Sequence, residues 1–179
     1  MGPGGCRSAP QPAQRWIRSS PAAVPSQKNA VSGEMAGRST SLAAGAGVRA
    51  GAVLPELVID VTPTFVVASA VATRDFQDVH HDRDQAVARG GQDIFINILT
   101  TTGLVQRYVT DWAGPQALVR KVAIRLGAPC YAGDTLTFSG QVAEIDGGEV
   151  LVDVTGRCRL GDHVTGTVRV VLPPERSGA

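Results

Sequence analysis

Asp93-Ile94-Phe95-Ile96-Asn97-Ile98-Leu99-Thr100-Thr101-Thr102-Gly103-Leu104-Val105-Gln106-Arg107-Tyr108-Val109-Thr110-Asp111-Trp112 is the stretch that decides how this chain folds. Ile94, Phe95, Ile98, Leu99, Val105, Tyr108, Val109 and Trp112 recur at helical spacing, and Leu104 widens the stripe. That period predicts one long helix over 93–112, apolar around most of its circumference and therefore largely buried. Gly114-Pro115 stops it. Downstream the period changes to two. Residues 117–126, 134–145, 150–160 and 164–172 read as strands. Asp146-Gly147-Gly148 marks a tight hairpin, and Gly161-Asp162-His163 joins the last two strands. One long buried helix followed by four strands in a meander is an α+β layout, with an antiparallel sheet wrapped around a central helix.

Upstream of the helix, Glu56–Val61 reads as a short strand. Thr62 has the chemistry of an N-cap, and Pro63 suits the first helical position because its missing N–H costs nothing there. A short helix through Phe65, Val66 and Ser69–Val71 is expected to end near Arg74. Residues 75–84 are polar and read as a loop. Asp82 or Asp84 then caps a brief helical turn through Ala88, before Gly90-Gly91 breaks it.

The folded domain is expected over 54–173. Residues 1 to about 50 are rich in Pro, Gly, Ala and Ser and carry Arg7, Arg15, Arg18, Lys28 and Arg38 against one acid, Glu34. With few large apolar side chains to bury, such a segment is expected to be disordered. An Arg- and Ser-rich, acid-poor start also fits an organelle leader. A third reading places the start of translation downstream, near Met35 or Val48. Disorder or a downstream start is favoured over targeting.

Composition narrows the function. A chain of 179 residues with 43% apolar content supports one compact core. Its net charge of +1 gives no electrostatic case for nucleic acid or an anionic membrane. Aromatics at 4% do not make a stacking platform for single strands. No apolar run reaches the ~18 residues that span a bilayer. Cys6, Cys130 and Cys158 are sparse and lack metal-ligand spacing, so free thiols in a reducing, cytoplasmic compartment are expected. Cys158 falls in a strand pattern and reads as a small buried side chain. Cys130 has no base placed beside it by sequence.

Chemistry concentrates in Ala72-Thr73-Arg74-Asp75-Phe76-Gln77-Asp78-Val79-His80-His81-Asp82, which holds two of the three histidines. A carboxylate and an imidazole that converge on one water form a general acid/base pair, and Asp75 and His80 are the candidates. His81 is the alternative imidazole. Consecutive His80, His81 and Asp82 rarely fit one tetrahedral ion, so no metal and no cofactor are expected. Asn97 either lines a pocket or caps and bridges within the core. Gln106, Arg107 and Asp111 read as a polar face or subunit contact. Arg120, Lys121 and Arg125 on a strand either meet the phosphates of a ligand or form a solvated or interface face.

The segment around Asp75 resembles the signature of the MaoC-like (R)-specific enoyl-CoA hydratases, roughly Gly-Asp-x-Asn-Pro-x-His. Asp75 falls on its Asp and His80 on its His, and Ala86 falls near a small residue that follows. Tyr131-Ala132-Gly133-Asp134-Thr135-Leu136 matches the family's entry to its second long strand, and Val170-Val171-Leu172-Pro173 its usual end. Arg74, Gln77 and Asp78 depart from the Gly, Asn and Pro of the signature. With 93–99 and 103–112, the segment is similar to the small subunit of actinobacterial steroid side-chain hydratases.

The resemblance implies the hotdog fold over about residues 55–173, with Asp75 and His80 as catalytic residues. It implies water addition to an α,β-unsaturated acyl-CoA, a steroid enoyl-CoA with a shortened side chain. It also implies a partner: a second MaoC-domain chain, in some cases carrying a DUF35 OB-fold domain, in a hetero-oligomer; the alternative assembly is a homodimer. The thioester oxygen gains charge in this reaction, and backbone N–H groups at a helix start stabilise it; Asn97 and Ile98 are the candidates. Two other readings stand beside this one. An acyl-CoA thioesterase shares the fold but is disfavoured, because the buried stretch of the helix offers Asn97 and threonines instead of an acid. A non-catalytic assembly or acyl-binding subunit is kept open by the departures at Arg74, Gln77 and Asp78.

Overall fold

The computed structural model describes residues 47–173. The expectations for residues 1–46 lie outside the described residues. The elements run β1 (Val53–Val61), α1 (Pro63–Ala72), a single 3-10 turn (Asp78–His80), α2 (Arg83–Ala88), α3 (Ile98–Ala113), β2 (Leu118–Leu126), β3 (Asp134–Asp146), β4 (Glu149–Cys158) and β5 (Gly161–Val171). The five strands form one antiparallel sheet in the order β1-β3-β4-β5-β2.

Local chemistry explains most boundaries. Thr62 caps α1 by accepting a hydrogen bond from the Phe65 N–H at 3.1 Å, with Pro63 next in the chain. Asp82 caps α2 by accepting from the Gln85 N–H at 3.1 Å. β1 starts earlier than expected, at Val53, because it is an edge strand. Pro55 lacks a donor there, and the ladder slips between Leu54 and Leu57. Gly147 and Gly148, with φ of 54° and 88°, supply the two positive dihedrals of a two-residue hairpin loop between Asp146 and Glu149.

Three expectations change. The helix starts at Ile98 instead of Asp93. Residues 94–96 are extended: Ile94 and Ile96 are buried on either side of half-buried Phe95, and Phe95 bridges Tyr131. The Ile96 N–H donates to Cys130 O at 3.2 Å, and the Ala132 N–H to Ile94 O at 2.9 Å. Asn97 ends this segment as the N-cap, accepting from the Thr100 N–H at 2.7 Å through its side-chain oxygen. An amide that can cap outweighs two more apolar residues of matching phase. The buried face of α3 is therefore Thr100, Thr101, Leu104, Val105, Tyr108, Val109 and Ala113, while Ile98 and Leu99 are each 51% exposed.

The four strands after the helix are not a simple meander. β3, β4 and β5 are joined by tight hairpins and must be neighbours, and β1 occupies the free side of β3. The outer side of β5 is the remaining place, and β2 pairs there. Residues 127–133 cross from β2 to β3 and bring Cys130 and Tyr131 against Ile94–Ile96. The last turn is Arg159-Leu160; Gly161, Asp162 and His163 belong to β5, with Gly161 at φ 124° opening it.

Tyr108 of α3 stacks on Phe138 of β3, with ring centroids 5.8 Å apart. Val105 and Val109 join Leu136, Val142, Val152, Val154, Val164 and Val168 in a cluster that excludes water. Burial, with Glu56 adding, pushes the Tyr108 phenol up to about 12, so it stays neutral. Phe138→Ala is expected to cost about 3–5 kcal/mol. Leu99→Ala, on the exposed side of α3, should cost no more than ~0.5 kcal/mol in the isolated chain. Denaturant melts of the two variants check this ordering.

Candidate active site

The site begins where α1 ends. The Asp75 N–H donates to Ala70 O at 2.9 Å, and the Arg74 N–H to Val71 O at 3.1 Å. Those two bonds make a Schellman motif, and its penultimate position requires a left-handed residue. Arg74 fills it at φ 57°. This is the position where the MaoC signature has Gly. The backbone bend survives the substitution, at the conformational cost that glycine would avoid. The turn leaves Asp75 half-buried at the head of the next segment.

His80 closes the 3-10 turn and is 5% exposed. Its Nδ1 lies 2.7 Å from Phe95 O. A carbonyl only accepts, so Nδ1 carries the proton and donates. Nε2 is thereby turned to Asp75, 3.4 Å from its Oδ2. The ring also meets Phe95 edge-on, at 5.0 Å and 79°. His81 is exposed, and its Nε2 faces Phe76 O at 3.2 Å, so it is not the imidazole that meets Asp75. With Asp82 committed to the α2 cap, His80, His81 and Asp82 diverge onto three different partners and do not converge on an ion.

Asn97 both caps and bridges. Besides its cap, its Nδ2 donates to Thr73 Oγ1 at 2.8 Å, tying the start of α3 to the end of α1. Among the described residues, no acceptor meets the N–H groups of Asn97 and Ile98. Those donors stand open at a helix N-terminus, whose aligned dipoles favour negative charge. The start of α3 and its open amides are thus tied by a side-chain bond to Thr73, two residues before Asp75.

Two groupings escaped the sequence reading. Donor atoms of Cys130, Asp134 and Cys158 come within 4.8 Å of one another. Asp134 is already engaged, accepting from the Tyr131 N–H at 3.1 Å and from Arg159 Nε at 3.0 Å. Burial, then Cys158 and Asp134, drives the Cys130 thiol far above its usual range, which removes it as a nucleophile. His163 is the second grouping. It is buried, with Nδ1 donating to Ala128 O at 2.8 Å and Nε2 at 2.9 Å from Thr101 Oγ1. No motif announced it, because its partners lie 35 and 62 residues away. Arg120, Lys121 and Arg125 are exposed on edge strand β2, and Arg107 pairs with Asp111 at 3.3 Å on the solvent side of α3.

Two outcomes are expected. Arg74→Gly relaxes the left-handed position and should raise stability by about 1 kcal/mol, read as a shift in thermal midpoint. Burial pulls the His163 pKa below its ordinary 6.5, and the bond to Ala128 opposes this. The unfolded chain therefore binds a proton below about pH 6.5 that the folded chain resists. The stability contributed by neutral His163 is complete above that pH and falls as acid is added. His163→Gln should be less stable than the parent at about pH 7.5, and the gap in thermal midpoint should narrow towards about pH 5.

No family model matches the chain. It is 65% identical over 122 residues to the 3-oxo-4,17-pregnadiene-20-carboxyl-CoA hydratase beta subunit of Mycobacterium tuberculosis, covering 68% of this chain and 95% of that relative. The crystal structure of the ChsH1-ChsH2 complex from Mycobacterium tuberculosis contains a chain 61% identical to this one, with a TM-score of 0.70, covering 71% of this chain and 100% of that one. The (R)-hydratase from A. caviae involved in PHA biosynthesis superposes with a TM-score of 0.67 over 72% of this chain and all of its own, at 18% identity, and shares the fold. The chain belongs to the MaoC-like hydratases of the hotdog fold, in the family of 3-oxo-4,17-pregnadiene-20-carboxyl-CoA hydratase beta subunits.

Proposed function

We propose that this chain is the catalytic small subunit of a heteromeric enoyl-CoA hydratase acting on a steroid side-chain thioester, 3-oxo-4,17-pregnadiene-20-carboxyl-CoA or a close analogue. The observation that carries the catalytic part is the meeting of half-buried Asp75 Oδ2 and buried His80 Nε2 at 3.4 Å, with Nδ1 already committed to Phe95 O. Two acceptors so placed take the two hydrogens of one water, whose oxygen then presents a lone pair to the β carbon of the enoyl group. As the new C–O bond forms, Asp75 accepts one proton from that water. The thioester oxygen takes up the displaced electron pair as an enolate. The second hydrogen stays on the new hydroxyl, held by His80 Nε2, and the proton taken by Asp75 passes through the pair to the α carbon, which returns both groups to their starting state. The Asn97 and Ile98 N–H groups face the enolate oxygen, where charge develops.

The name of the Mycobacterium tuberculosis relative supports the substrate class, and the ChsH1-ChsH2 complex supports a second chain as partner. This chain's surface points the same way. Val71 and Phe76 flank Asp75, Ile98 and Leu99 sit at the start of α3, and all four are at least half exposed. Apolar groups gathered beside a polar site are a surface that another chain or an apolar ligand covers. A sterol needs such walls, and a small single domain does not enclose it alone. We assign the partner as a second MaoC-domain chain, with a DUF35 OB-fold domain as a further component of the same proposal. No described helix is long and apolar enough to cross a membrane. A cytoplasmic location completes the proposal and is supported by the free buried thiols of Cys130 and Cys158.

The test is loss of enoyl-thioester absorbance with the co-purified complex. Asp75→Asn and His80→Gln keep side-chain size, and each should lower kcat by roughly 10²–10⁴-fold with assembly intact. Rates equal to the parent in both would make this chain a scaffold.

A further inference from the structure

Hydration needs the amide donors of α3 to face the thioester oxygen, and a free N–H at a helix start is aimed only as well as its peptide is held. The relevant peptide joins Asn97 to Ile98. In a trans peptide the C=O and N–H point in opposite directions, so fixing one fixes the other. Asn97 O is held by the Thr101 N–H at 3.0 Å, with Thr101 Oγ1 also 3.0 Å away. His163 is anchored by its Nδ1–H on Ala128 O, so its Nε2 accepts the single Thr101 hydroxyl proton at 2.9 Å and pins to β5 the residue whose N–H holds Asn97 O.

We propose that Thr101, backed by His163, is a positioning residue for the hydration: it locks the Asn97–Ile98 peptide so that the Ile98 N–H points at the thioester oxygen. This rests on the hydratase reading above. The residue type supports it. Thr101 has no solvent exposure and shares its helix face with Thr100, Leu104, Val105, Tyr108, Val109 and Ala113. A packing role there is met by valine, which has the same shape and no hydroxyl to satisfy. Threonine is also a poor helix former. The hydroxyl brings a buried histidine with it, and a buried polar pair is retained against the desolvation it costs. The same turn leaves another group open, because Thr100 Oγ1 is buried with no partner among the described residues. The line continues through Asn97 Nδ2 to Thr73 Oγ1, two residues before Asp75. One set of side chains therefore registers the amide donor against the carboxylate.

The experiment compares the parent complex with Thr101→Val and Thr101→Ser in this chain, co-purified with the partner. Thr101→Val should lower kcat by at least about tenfold, approaching the roughly hundredfold cost of a misplaced group, with KM within about twofold. Isotope-edited infrared spectra of a bound saturated acyl-CoA should show the thioester carbonyl stretch lowered in the parent, with part of that lowering lost in Thr101→Val. Thr101→Ser keeps the hydroxyl and should restore both readouts. Should Thr101→Val not assemble, Thr101→Ala carries the same comparison. Unchanged kcat and carbonyl stretch in the hydroxyl-free variant overturn the proposal. So does a Thr101→Ser loss as large as that of Thr101→Val, which would assign the effect to the methyl group. A parent complex that binds thioester without hydrating it sinks the hydratase reading instead, and the carbonyl shift still decides whether Thr101 aims the amide.

Discussion

The Asn97 side chain holds the working end of this molecule together. Its oxygen closes the first turn of α3 on the Thr100 N–H, and its nitrogen reaches Thr73 at the end of α1. Without the first bond, the helix would begin with one more orphaned donor. Without the second, the segments that carry Asp75 and the open amides would be joined only through backbone and distant packing. An N-cap is typically worth about 1 kcal/mol, so the bond matters less for total stability than for register. Two helix ends meet at fixed distance because one amide serves both.

Around that junction, the site is assembled from local devices that each solve a backbone problem. The Schellman turn at Arg74 ends α1 and swings Asp75 outward. The 3-10 turn at Asp78–His80 aims an imidazole whose tautomer is set by Phe95 O. Phe95 is held in place by its bridge to Tyr131, and so by the crossing segment between β2 and β3. The sheet contributes no acid or base to the proposed pair. Its role is to supply a rigid floor and, through His163, one side chain that reaches up to α3.

Much of this was legible in the sequence. Thr62-Pro63, Asp82 or Asp84, and Gly147-Gly148 marked their caps and turn because each solves a hydrogen-bond or dihedral problem within four residues, and Asp82 is the one that caps. Asp75 and His80 were visible because they lie five positions apart in a polar segment. What was hidden depended on distant partners. The helix start was misread because Ile94 and Phe95 happen to fall in helical phase with Ile98 and Leu99, while the strand-like pairing with Cys130 and Ala132 that claims this segment lies more than thirty residues on. The place of β2 beside β5 follows from which strand edges remain free, which no single segment encodes. His163 and the Cys130–Cys158 pair were invisible for the same reason. Arg74 taught the reverse lesson: it broke the family signature in letters and kept it in conformation, since φ 57° is what the glycine is there to provide.

The central claim is that this chain, and not its partner, presents the acid/base pair to the substrate. A crystal structure of the assembled complex with a saturated analogue of the steroid acyl-CoA tests it most directly. The account predicts a water shared by Asp75 and His80 within about 3–3.5 Å of the β carbon, and the thioester oxygen on the Ile98 N–H. A thioester lying against a carboxylate and imidazole of the partner chain, with Asp75 and His80 facing no ligand, would contradict it.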